Sequence, residues 1–140
     1  MATEAPLIHD GAQTIAVANY GNTQSLAGPS GSGQFLCVAL SGSVDRTVVL
    51  ATAAGQQIYG ILQNKPGLGQ AADVGIFGIT KAVAGAAITR GAPLMAASTG
   101  AVIAWTSTSN KVQIGYALES ASAISQVITM FLGNTGNTVA

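Results

Sequence analysis

The side chains able to carry chemistry are few in this chain and stand far apart. His9 is the only histidine and Cys37 the only cysteine, so they are the one combination that could supply a nucleophile with its base. His9 falls in an N-terminal segment, whereas Cys37 sits between Leu36 and Val38 in an apolar run. A thiol in such a run packs as a small hydrophobe, and Cys37 reads as a buried structural residue. The carboxylates Glu4, Asp10, Asp45, Asp73 and Glu119 are isolated from one another, while a metal site needs converging ligands. Asp73 with Glu119 is the acid and base that a fold could still bring together. Gly67, Gly69 and Ala72 in GLGQAA have the glycine spacing of a dinucleotide fingerprint. Pro66 interrupts the approach, no amphipathic helix follows, and no acidic residue stands about 20 positions on, so the segment reads as a turn. No catalytic residue, cofactor or metal ligand is assigned.

The elements that would position these groups are β-strands. QFLCVAL (34–40), RTVVLAT (46–52), QIYGILQ (57–63), DVGIFGITKAV (73–83), AVIAW (101–105), VQIGYAL (112–118) and QVITMFL (126–132) are rich in β-branched or aromatic residues. Ser-Gly, Ala-Gly, Pro-Gly-Leu-Gly, Arg-Gly and Thr-Gly turns separate them. This spacing predicts an all-β fold, a small compact β-barrel or sandwich. Helix is expected only as single turns near 51–54 and 120–124. Runs such as VVLA, GIFGI and ITMFL are apolar on both faces, which predicts that the outer face of the sheet is covered too, by oligomerisation. Gly60, Gly75, Gly78 and Gly115 fall inside strands, where glycine marks bulges, barrel corners or close backbone approach. Trp105, Tyr59, Tyr116 and Phe77 lie in apolar strands and read as core, leaving a glycan-binding platform unsupported.

The first 33 residues differ. NYGNTQSLAGPSGSG (19–33) cannot bury enough apolar surface to order itself, so residues 1–33 read as a flexible, extended N-terminal arm before a single β domain at 34–140. Within the arm, QTIAVA (13–18) is a strand in waiting for an edge to pair with.

Composition narrows the function classes. Charged residues make up 7% of the 140 residues, against roughly 25% in typical soluble domains. Five basic and five acidic residues cancel, which suits a surface covered in an assembly. Arg46, Lys65, Lys81, Arg90 and Lys111 are scattered, giving no footprint for nucleic acid. Mean hydropathy is +0.46, yet the longest apolar-looking tract, 82–105, is broken by Arg90, Gly91 and Pro93, so no membrane span is expected. Glu4 stands where a signal peptide needs a basic region, and the lone cysteine allows no intrachain disulfide.

From position 47 onward the chain resembles bacteriophage capsid decoration proteins, also called cement proteins. The resemblance is carried by YGILQNKP (59–66), ADVGIFGITK (72–81), AGAAITRGAPL (84–94), TGAVIAW (99–105), VQIGYALESAS (112–122) and ITMFLG (128–133). It implies a non-enzymatic protein that binds the outer surface of an expanded head and stabilises the shell against internal DNA pressure. It further implies the major capsid protein as partner, self-association as a homotrimer, and a place on the outer capsid surface of the virion after synthesis in the host cytoplasm. The family carries no catalytic motif, so none is transferred and no cofactor is expected. Lys65 and Pro66 are the first candidate interaction positions, because proline fixes the loop and presents Lys65 at a strand end. Ile15 and Val17 in the arm are the others. The competing readings are a virion-displayed glycan-binding or head-fibre module and, more weakly supported, a β-domain subunit of an enzyme.

Overall fold

The computed structural model describes residues 13–17, 19–20, 33–66, 71–107 and 110–137. Among them are no helices and ten strands: β1 (Gln13–Val17), β2 (Asn19–Tyr20), β3 (Cys37–Leu40), β4 (Thr47–Leu50), β5 (Gly60–Leu62), β6 (Ala72–Val83), β7 (Pro93–Ala96), β8 (Val102–Ala104), β9 (Gln113–Ala117) and β10 (Val127–Asn137). All seven expected runs carry strands, and the all-β expectation holds. β7 is a strand that propensity does not predict, since PLMA contains no β-branched residue. Its proline takes the first position, where the missing amide is tolerated.

The two expected helical turns do not form. In both places a glutamine side chain holds two successive amides of a turn. Gln56 Oε1 accepts from the Thr52 and Ala53 amides at 2.7 and 2.8 Å. Gln126 Oε1 accepts from the Ser122 and Ala123 amides at 2.6 and 3.2 Å. The residue before each glutamine, Gly55 (φ 76°) and Ser125 (φ 69°), is left-handed and turns the chain back into the sheet.

The strands form one continuous sheet in the order β2-β4-β3-β5-β6-β10-β9-β7-β8, with β1 also on β6. β6 is long enough to serve two halves. Its first part pairs with β5 and β1, and its second part, from Gly78, pairs with β10. The change of partner falls at Gly78, whose φ of 108° suits only glycine. The barrel corner expected of an in-strand glycine is therefore this one. At Gly115 and Gly60 the reason is close approach: a Cβ would strike the carbonyl oxygen of Phe131 and of Gly75, respectively.

Each half curls back on itself. β1 runs antiparallel to β6 while β2 runs parallel to β4, and one residue separates β1 from β2. Strand directions agree around the ring, so residues 13–20 act as one stave closing β6-β5-β3-β4. The edge that QTIAVA required is supplied by β6 of the same chain. In the other half, Ala84 just past β6 makes a parallel bridge to Val102 of β8, which bends β6-β10-β9-β7-β8 toward closure.

The largest cluster of buried side chains joins the halves, with Cys37 and Ile61 from the first meeting Leu94, Ile114 and Met130 from the second. A second cluster, Val38, Val48, Leu62, Ala72 and Val74, fills the first half. Adjacent residues of β3 and of β5 thus point into different clusters, so both faces of these strands are buried. Each fully buried Leu or Ile contributes about 1.5–3 kcal/mol. For β3 and β5 the predicted outer covering comes from the chain's own second half, not from another copy. For β6 and β10 none of the described residues supplies it.

Candidate functional site

Among the described residues, those with catalytic chemistry are not assembled. Cys37 is fully buried, and loss of solvation pushes its thiol up to about 12. It stays protonated and inert at neutral pH, as the structural reading expected. His9 lies outside the described residues. Glu119 accepts a hydrogen bond from Thr129 Oγ1 at 2.8 Å, and Thr129 faces Lys81 near the end of β6. Asp73 stands near the beginning of β6, roughly 25 Å away along extended chain, so the acid and base pair is not formed. GLGQAA joins two antiparallel strands, and β6 rather than a helix follows it. Residues 67–70 themselves lie outside the described residues. Among the described residues no group of three or more His, Cys, Asp or Glu converges as a metal site, and no helix is long and apolar enough to cross a membrane.

The four nominated interaction positions come to the same end of the first half. Leu62 and Ile15 flank Val74 from either side, and Val17 lies opposite Ala72. Lys65 and Pro66 follow β5 at that end, with Lys65 exposed and Pro66 buried. The loop is pinned by Asn64, whose Nδ2 donates to the Ala71 carbonyl at 3.2 Å and whose Oδ1 accepts from the Asp73 amide at 3.0 Å. Pro66 seats the loop while Lys65 is held out on it.

A second surface went unread in the sequence. The register aligns Ile79 of β6, Phe131 of β10, Tyr116 of β9 and Pro93 of β7 in one row on the outward face of the second half. Phe77, Ile79, Tyr116 and Leu118 are 51%, 45%, 44% and 41% exposed. Phe77 and Tyr116, expected in the core, are therefore surface residues. Their strands are apolar on both sides, and only the odd positions of β6 reveal which side faces out. Phe131 lies over Gly133 and meets Phe77 edge to face, with ring centroids 5.5 Å apart and planes at 82°. Such a pair fixes both rings at the surface. Lys81 and Glu119, on either side of Thr129, border the row.

Comparison with known proteins follows from this architecture. No curated protein matches the chain. Among solved structures it is similar to the crystal structure of the head fiber gp8.5 N base in bacteriophage phi29, with a TM-score of 0.62 and 17% identity, covering 86% of this chain and 95% of that one. At that identity the likeness establishes a shared fold. Residues 32–132 match the family described as phage cement protein, the stretch that holds β3 to β9, most of β10 and the outward apolar row, and the chain belongs to that family of phage capsid decoration proteins.

Proposed function

We propose that this protein binds the outer surface of the expanded phage head as a homotrimer and stabilises the shell through contacts with the major capsid protein. Family membership over residues 32–132 carries the reading. The chemistry agrees with it: the functional groups are dispersed, charge is low and balanced, and two surfaces stand out, a pinned loop and an apolar row. The loop end with Lys65, Pro66, Ile15 and Val17 is assigned to the shell. Residues 34–140 are the single β domain and residues 1–33 the arm, which at 13–20 lies back on that domain as its closing stave. The arm is assigned the role of adding an extended segment to a sheet edge of a neighbouring subunit or of the shell. Repetition of modest contacts over the lattice then supplies avidity.

Co-sedimentation with expanded, undecorated heads across a salt series tests this. Saturation at a fixed number of copies per shell, nearly independent of salt, is expected for largely apolar contacts. Failure to bind heads overturns it. Lys65→Glu is expected to lower occupancy on heads while leaving Tm within about 2 °C, because the side chain is exposed. Unchanged occupancy removes Lys65 from the interface.

The exposed rings of Phe77 and Tyr116 favour one second reading, a virion-displayed glycan-binding or head-fibre module. Saturable binding to host surface sugars, lost in Tyr116→Ala, would select it.

A further inference from the structure

We propose that the outward row on β6, β10, β9 and β7 is the surface on which this chain packs against further copies of itself. The inference rests on the self-association in the reading above and names the face that makes it.

Phe77, Ile79, Tyr116, Leu118 and Val127 together leave about 400 Å² of largely apolar surface exposed, within the range of the largest patch on a typical monomer. Phe131 and Pro93, both partly exposed, continue it across the row. A stable interface buries roughly 800 Å² per partner, most apolar at its centre, so this patch is the size of such an apolar centre and its polar border supplies the rim. The occupant is a further copy because the two borders of the face are complementary to each other. Lys81 and Glu119 carry opposite charges at its border, one on β6 and the other just past β9, so in a closed ring of three copies Lys81 of each can be set against Glu119 of the next. The five basic and five acidic residues cancel, so copies do not repel. The row is also rigid before contact, since Phe131 is held between Gly133 and the edge of Phe77, which lowers the ordering cost of association.

The test is the mass of the full-length protein in solution, by sedimentation velocity without heads, with circular dichroism to check the fold. Wild type is expected to be oligomeric. Ile79→Glu and Tyr116→Glu are expected to sediment as folded monomers, association being weakened at least about tenfold. Ile124→Glu, at a 66% exposed residue outside the row, is expected to keep the wild-type mass. Lys81→Glu, which preserves the apolar row, is expected to weaken association, and Lys81→Glu with Glu119→Lys to restore it. A monomeric wild type at high concentration, or folded Ile79→Glu and Tyr116→Glu variants of wild-type mass, overturns the proposal. An oligomer that fails to bind heads would instead overturn the proposed function and leave this interface standing.

Discussion

At the scale of single residues, backbone approach and burial decide most of what these side chains do. Gly115 sits where any Cβ would meet the Phe131 carbonyl, and the backbone of a central strand cannot retreat. Gly115→Ala is expected to destabilise the fold by about 2–3 kcal/mol in urea unfolding, whereas Gly42→Ala, with open space around the added methyl, is expected to cost under about 0.5 kcal/mol. Cys37 yields a pH prediction. Its thiol is raised from 9.0 to about 12 by burial. Between those values the unfolded chain releases a proton that the folded chain retains, so the folded state binds more protons and stability falls as pH rises. The contribution is complete below pH 9.0 and is lost progressively toward pH 12. A lower urea midpoint at pH 10.5 than at pH 8, with the difference absent in Cys37→Ala, is the expected outcome. Thiol reagents at neutral pH should modify Cys37 only after unfolding.

At the scale of elements, the same device appears twice. TAAGQ (52–56) and SAISQ (122–126) each end a turn with a left-handed residue and a glutamine that caps two amides. Gln56→Ala and Gln126→Ala are each expected to cost about 1 kcal/mol, because the freed amides are near water and can rehydrate. A loss near zero at both would show that the capping bonds do not hold the turns. The small-residue local sequence is compatible with a helical turn at both places. What defeats it is the left-handed residue at 55 and at 125, together with strand neighbours on either side. Gly55 N donates to the Ala96 carbonyl at 2.7 Å and Ser125 N to the Ala84 carbonyl at 2.8 Å, tying each turn to a distant strand. The β7 strand is the opposite case. PLMA has weak strand propensity, but β8 and β9 on its two sides impose the extended form.

At the scale of the whole molecule, residues 13–20 matter out of proportion to their number, because they occupy the gap between β4 and β6. Deleting residues 1–20 is expected to expose both edges, lower stability by more than about 3 kcal/mol and Tm by roughly 10 °C, and promote aggregation; deleting residues 1–12 should leave Tm nearly unchanged. Equal Tm values for the two deletions would show that the stave adds nothing. The sequence by itself determined the β class, because β-branched and aromatic runs between glycine turns have few other stable arrangements. It also pointed to a structural Cys37 and to Gly60, Gly75, Gly78 and Gly115 as bulges, corners or close approaches, of which the structure makes Gly78 the corner and Gly60 and Gly115 the close approaches. The family resemblance was legible in the same residues. Only the tertiary structure decided which face of a doubly apolar strand looks outward. Periodicity of two separates the faces of β6 without saying which one its neighbours cover, and that depends on pairings across the chain. Cys37 and Ile61 found their second covering within the molecule, while Phe77, Ile79 and Tyr116 were left on the outside, where another copy can reach them.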